Sequence, residues 1–296
     1  MPVVAAFYKF TPFPDPAALK PGLAKVACAQ GVTGSILLAR EGINGTIAGD
    51  RAGIDTVLAH IRRLPGCANL DWQESHAGAA PFNRMKVRIK REIVTMGQTE
   101  VDPTAAVGRY VDPADWNALI AAPDVAVIDT RNDYEVAIGS FEGADDPGTQ
   151  SFGDFPAWWQ ANGQRFAGRR IAMFCTGGIR CEKATSYLLG QGVAEVFHLR
   201  GGILSYLNSV PQAQSLWHGE CYVFDQRVSV GPGLAPGRYT SCHACGRPVS
   251  PEAKTDPAYE EGVQCPACVG EYGPADRARF RERQRQFVRD EARKTG

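Results

Sequence analysis

Residues 170–190 run RIAMF, CTGGIRC, EKATSYLLG: an unbroken apolar stretch, a glycine turn bracketed by two cysteines, and a helix-like stretch. No polar residue alternates within IAMF, nor within the VAVI of VAVIDTR upstream. Strands without alternation are buried on both faces, the signature of a parallel sheet covered by helices. Parallel strands need crossovers, and FPAWWQANG and CEKATSYLLGQG supply helical ones between the strands VAVIDTR, RIAMF and AEVFHL, with the helical stretches DPADWNALI before the first strand and GGILSYL after the last. The alternation predicts an α/β domain over residues 112–211, its first helix starting with Asp112 at the N-cap and Pro113 at N1.

In an open α/β sheet, ligands gather at the carboxyl ends of the strands. Cys175 stands at such an end. Gly177 and Gly178 tolerate positive φ, so the amides of Thr176, Gly177, Gly178 and Ile179 can turn inward. The helix that follows adds unsatisfied N–H groups and the positive end of its dipole. This is an anion nest, and the anion can be the cysteine sulfur itself, because such surroundings lower a thiol pKa from about 8.5. Arg180 adds a positive charge. The alternative is a buried structural cysteine in a glycine turn.

Before this domain lies a segment of residues 1–96 with the order β-α-β-β-α-β, which predicts a ferredoxin-like α/β sandwich. VVAAFYKF, TGSILLAR, GTIAG, NLDWQES and FNRMKVRIKREIV are its strands, with EGIN as a connection, and PDPAALKPGLAKVACAQ and AGIDTVLAHIRRL are its helices. In the last strand Arg84, Lys86, Arg88 and Lys90 alternate with Met85, Val87 and Ile89, so the four cations share one face. That stripe either tracks a phosphate backbone or is the solvated face of an amphipathic strand. Residues 97–111 are expected as a linker.

After the α/β domain, residues 212–296 hold Cys242-x-x-Cys245 and Cys265-x-x-Cys268, with nineteen residues between the pairs. Each pair can form a knuckle, and four thiolates in tetrahedral array suit a structural zinc with no open coordination position. His243 is expected to be a bystander. The tail beyond Pro274 is helical in composition, and Arg277, Arg279, Arg281, Arg283, Arg285 and Arg289 spread around it as either a solvated face or an RNA contact.

The chain has 296 residues and a formal net charge of zero, so affinity for a polyanion must come from a local patch and not from a global field. No apolar run approaches a membrane span and MPVVAAFYKF is not a secretory leader, so a cytoplasmic location and no membrane partner are expected. Nine cysteines in that setting argue for reactive thiols or metal rather than disulfides. Cys28, Cys67 and Cys221 carry no pattern beyond core packing.

CTGGIRC resembles the active-site loop of rhodanese-type sulfurtransferases, together with VIDTRNDYEVAIGSFEGA upstream and VFHLRGGILSYL downstream. The resemblance implies that Cys175 carries a persulfide cradled by the loop amides. Cys181 then either resolves that persulfide as a disulfide or simply packs at the helix start. Asp129 is expected to order its strand end and Arg131 to line the mouth. Four residues separate Cys175 from Arg180, where related phosphatases have five, so the tighter cradle suits a sulfur atom better than a phosphate. EGINGTIAG, PFNRMKVRIKREIVTMG and WHGECYVFDQRVSV further resemble the bacterial tRNA uridine hydroxylase family, also described as rhodanese-related sulfurtransferases. That resemblance implies oxygen-dependent conversion of the wobble uridine, nucleotide 34, to 5-hydroxyuridine, with Cys175 essential and O2 as co-substrate. The anticodon region of tRNA and a sulfur or electron donor are the expected partners. Phe155, Trp158 and Trp159 either stack on a base or belong to the core. No dinucleotide fingerprint, flavin motif or iron triad is apparent. The alternative activity is sulfur transfer from thiosulfate or a persulfide donor to a small acceptor; a non-catalytic RNA-binding role is disfavoured by the cysteine cradle.

Overall fold

The computed structural model describes residues 1–295; Gly296, the end of the expected C-terminal segment, lies outside the described residues. The chain forms two compact units, Met1–Cys221 with Val230–Pro236, and Tyr222–Ser229 with Gly237–Gly296.

The first unit opens with β1 (Val3–Phe10), α1 (Pro16–Ala29), β2 (Thr33–Ala39), β3 (Gly42–Gly49), α2 (Arg51–Arg62), β4 (Trp72–His76) and β5 (Met85–Ile89). The sheet order is β4-β1-β3-β2-β5, antiparallel except for the β2–β5 pair. The first four strands and both helices are the expected ferredoxin-like arrangement, and β5 is a fifth strand added at the edge. Helical spacing on α2 brings Ile54, Val57, Leu58 and Ile61 down onto Ile36, Leu38, Ile43 and Ile47 of the sheet. Period two sends Tyr8, Phe10 and Ala39 to the opposite sheet face, where they pack with Ile93, Val94 and Ile179. The EGIN connection contracts to a tight turn, because Gly42 already pairs with Phe10. The strand expected over FNRMKVRIKREIV is shorter, although the Arg84 carbonyl and the Lys90 N–H still bond to Gly34 and Leu38.

Next come β6 (Arg109–Val111), α3 (Pro113–Ile120), β7 (Val125–Asp129), α4 (Asp133–Val136), β8 (Gly139–Phe141), α5 (Phe155–Asn162), β9 (Arg170–Phe174), α6 (Ile179–Gly190), β10 (Val196–Leu199), α7 (Gly202–Ser209) and β11 (Trp217–Gly219). The sheet is all parallel in the order β6-β10-β9-β7. Every residue of β7 is buried, as the absence of alternation requires. Strand β6 lies in the expected linker; its three residues, mostly exposed at a sheet edge, leave no periodic signal. Strand β11 folds back antiparallel onto β8 and sets Trp217 edge-on to Phe141 at 5.1 Å. Asp112 is the N-cap of α3, but its carboxylate makes no capping bond and accepts Arg200 Nε at 2.6 Å instead.

A buried cation ties the two sheets of this unit together. Lys183 of α6 is fully buried, with Nζ 2.6 Å from Glu41 and 2.7 Å from Glu92 of the ferredoxin-like half. Glu92 also accepts the N–H groups of Met96 and Gly97, which satisfies its remaining acceptor capacity.

In the second unit, Thr240–Ser241 pairs with Pro248–Val249 on either side of the first cysteine pair, and α8 (Pro274–Thr295) follows. Arg281 bonds Glu260 through two contacts of 2.6 Å, and Arg283 donates to the carbonyl of His243 at 2.6 Å. No helix among the described residues is long and apolar enough to cross a membrane.

Candidate active site and candidate metal centre

Strand β9 ends at Phe174 and delivers Cys175 into the turn before α6. The Gly178 N–H donates to Cys175 Sγ at 3.2 Å, so the loop does fold amides back onto the sulfur. Gly178 achieves this at φ 97°, a conformation that disfavours any residue with a Cβ. The loop is pinned from behind by α7, whose Ile203 and Leu204 N–H groups bond the carbonyls of Cys175 and Thr176, each at 3.0 Å. Gly202 permits that approach, because a Cβ there would stand 2.4 Å from the Cys175 carbonyl oxygen.

Cys175 is completely buried, which by itself pushes the thiol pKa up. The Cys181 side chain, the Arg180 charge and the N–H groups of Cys181 and Gly178 outweigh that burial and bring it down to about 6. Cys181 moves the opposite way: burial and the neighbouring Cys175 raise it well above an ordinary thiol. Its sulfur lies 3.3 Å from Thr130 Oγ1. The surroundings therefore favour the anion on Cys175 and the neutral thiol on Cys181.

Arg180 is held by Glu135, a residue the sequence did not single out. Its guanidinium makes contacts of 2.6 and 2.8 Å to the two carboxylate oxygens. Burial raises the Glu135 carboxyl, but Arg180 overrides it and the carboxylate stays ionised. Thr176 Oγ1 joins the same network at 3.2 Å from Glu135. Glu135 enters through α4, a single turn with its own capping box around Asn132, too short to show helical periodicity.

Asp129 does order the strand end, accepting from Arg131 Nε at 2.9 Å, Arg131 Nη2 at 2.6 Å and Ser140 at 2.9 Å. Arg131 corrects the expectation that it lines the mouth. It is fully buried, committed to Asp129 and to the Glu135 and Gly139 carbonyls, with its guanidinium 5.0 Å from the centre of the Trp217 ring. Its role is to brace β7 and α4. Phe155 and Trp159 are buried in the apolar core with Phe152 and Phe166, and Trp158 packs against that core. Cys67 is buried and Cys28 exposed. Cys221 is buried within bonding reach of Thr176, and burial pushes its thiol up to about 12.

Arg84, Lys86, Arg88 and Lys90 are all exposed. From β1, with β3 and β2 between it and β5 in the sheet, Tyr8 reaches across to the rhodanese-like half, donating to Glu182 Oε2 at 2.8 Å, 174 residues away in the chain.

The four expected metal ligands converge. Sγ atoms of Cys242, Cys245, Cys265 and Cys268 all lie within 4.8 Å of one another, with separations of 3.9, 3.8 and 3.6 Å for three of the pairs. A tetrahedron with metal–sulfur bonds of about 2.3 Å has edges of about 3.8 Å, so the cage fits a metal and is far too open for disulfides. His243 is not in the cluster; its ring meets Phe287 edge-on at 6.0 Å.

Residues 2–93 match the UPF0176 acylphosphatase-like domain and residues 112–209 the rhodanese-like domain. Whole-chain relatives cover nearly everything. A protein of Roseobacter denitrificans is 64% identical over 285 residues, 96% of each chain. One from a Jannaschia species is 66% identical over 293 residues, covering 99% of this chain and 97% of its own. One from Caulobacter vibrioides is 57% identical over 296 residues, covering 98% and 94%. Each of the three is named tRNA uridine(34) hydroxylase.

Proposed function

The chain belongs to the tRNA uridine(34) hydroxylase family, and we infer that it hydroxylates uridine 34 of tRNA with Cys175 as the reacting group. The observation that carries this reading is the buried Cys175 sulfur, which accepts a loop amide beside the Arg180 charge, surroundings that lower its pKa. A thiolate, or the persulfide built on it, is the nucleophilic form of sulfur. The nest holds that charge in place without a solvent shell, so no reorganisation is needed when a base enters. Replacing the C5 hydrogen of uracil by hydroxyl is a two-electron oxidation; with O2 as co-substrate one oxygen atom enters the product and the other leaves as water, taking two electrons from an external reductant.

The same geometry disfavours sulfur transfer from thiosulfate. The Arg180 guanidinium is already paired through two contacts to Glu135, and Glu182, two residues further along the helix, is acidic. A small dianion gains little there, whereas an uncharged uracil ring loses nothing. Arg84, Lys86, Arg88 and Lys90 supply the phosphate contacts that the nest does not, and these position the RNA without reading its sequence. Zinc held by Cys242, Cys245, Cys265 and Cys268 would cross-link the second unit; four thiolates fill its coordination sphere and leave it no part in the reaction. A cytoplasmic site of action follows from a tRNA substrate.

The test is mass spectrometry of nucleosides from tRNA of cells lacking the protein, complemented with wild type or Cys175→Ser. We expect 5-hydroxyuridine and its derivatives to return with wild type alone. Their return with Cys175→Ser would remove Cys175 from the chemistry. Purified protein that forms no 5-hydroxyuridine on tRNA in air with a reductant, yet moves sulfur from thiosulfate to cyanide, would overturn the reading.

A further inference from the structure

Three side chains from three separate elements meet beside the Cys175 nest: Tyr8 of β1, Tyr110 of β6 and Glu182 in the first turn of α6. Tyr8 Oη bonds Glu182 at 2.8 Å and stands so close to the loop that a Cβ on Gly178 would lie 3.0 Å from it. The Tyr110 hydroxyl also faces Glu182 and favours its ionised form. Its ring is clamped, 4.2 Å from the ring of His198 and 4.7 Å from the guanidinium of Arg200, which Asp112 holds in turn. Tyr8 and Glu182 are half-buried and Tyr110 is 37% exposed, so the cluster reaches solvent while the sulfur beneath it does not.

Glu182 is an unusual carboxylate for a structural role. It forms no ion pair among the described residues, Lys9 acting on it only through space. Burial raises its pKa and the two phenols work against that rise. A carboxylate has about four acceptor positions. Tyr8 takes one of them and Tyr110 faces another, which leaves acceptor capacity at the mouth of the site. The central group on the pairing edge of uracil is the N3–H donor, flanked by two carbonyl oxygens. Cytosine places a lone pair at the same atom.

We propose that Glu182, oriented by Tyr8 and Tyr110, is the specificity residue that reads the substrate base, accepting the N3–H of uracil and repelling the N3 lone pair of cytosine. This rests on the reading of the chain as a uridine-34 hydroxylase. A site built to bond a substrate N–H rejects an analogue lacking it more strongly than any apolar pocket could, because the buried polar group is left unpaired. The arrangement also explains why a tyrosine from the ferredoxin-like half is brought to the rhodanese-like loop: the base-reading group is fixed only when both halves are docked.

The experiment uses the full-length protein and anticodon stem-loop RNAs identical except for uridine or cytidine at position 34. Wild type is expected to bind the uridine form at least about tenfold more tightly. In Glu182→Gln the amide can donate to cytosine N3, so the ratio should fall to about one. An unchanged ratio in Glu182→Gln overturns the proposal. If that variant melts below the assay temperature, Glu182→Asp is used; retracting the carboxylate should erase the uridine preference without improving cytidine binding, and an undiminished preference again overturns it. The double variant Tyr8→Phe/Tyr110→Phe should lower the ratio with little loss of cytidine binding; equal weakening of both RNAs would make the phenols structural. Product formation separates the two levels. Wild type that makes 5-hydroxyuridine while Glu182→Gln keeps its ratio removes Glu182 and leaves the activity standing. Wild type that makes none and shows no uridine preference removes both.

Discussion

The Cys175 loop and the four-cysteine cage use the same side chain for opposite ends. In the loop, a single sulfur is surrounded by amides, a neighbouring thiol and one arginine charge, all of which favour its thiolate form. In the cage, four sulfurs stand within 4.8 Å of one another, three of the pairs at 3.6 to 3.9 Å, and would share one cation, leaving none of them free to react. The difference teaches that cysteine chemistry is set by what neutralises the thiolate. Peptide dipoles stabilise the anion and leave its lone pairs available, whereas a metal takes the lone pairs themselves.

The comparison breaks most visibly at the cage. Cys265→Ser with Cys268→Ser should abolish zinc binding, read as metal content, and cost the second unit on the order of 10 kcal/mol of metal-linked folding energy. Protease digestion should then cut within residues 237–290 while the pH profile of Cys175 alkylation stays unchanged. Loss of Cys175 reactivity in that variant would mean the two sites are not independent. Cys175→Ser should do the reverse, lowering 5-hydroxyuridine formation at least about a thousandfold while metal content and melting temperature hold.

A smaller effect sharpens what the loop charge does. The alkylation rate of Cys175, followed by peptide mass spectrometry, should rise with pH through the thiol pKa and level off above about 6. Arg180→Gln removes the charge that favours the thiolate and leaves Glu135 unpaired beside it, so the midpoint should move upward by about one unit or more. A midpoint that does not move would leave the amides and Cys181 to stabilise the anion alone. Smallest of all, Lys86→Ala with Arg88→Ala should weaken tRNA binding about tenfold and flatten its salt dependence. Thiol reactivity should be untouched; equal binding at every salt concentration would return the stripe to a solvated face.

Local pattern revealed a great deal. Absence of alternation in VAVID and IAMF identified the parallel sheet, because burial on both faces removes the polar positions. The cysteine pairs identified the cage, because a knuckle forms within four residues. What escaped was built from pieces too short for a period, namely the three-residue strands β6, β8 and β11 and the single turn α4 that carries Glu135. Arg131 was misread for a related reason. An arginine at a strand end looks like a ligand-binding group until the buried Asp129 two residues back is seen to take it bidentately.

The sequence alone therefore determined the identity of the thiol, its glycine turn, the four-thiolate set and the sheet that presents them, since each depends on neighbours in the chain. Only the tertiary structure decided how the Arg180 charge is spent, that Lys183 locks two sheets together through Glu41 and Glu92, and that Tyr8 and Tyr110 converge on Glu182. Those contacts join residues up to 174 positions apart. No local periodicity records such a meeting; it follows from which sheet face remains open once the helices have covered the other.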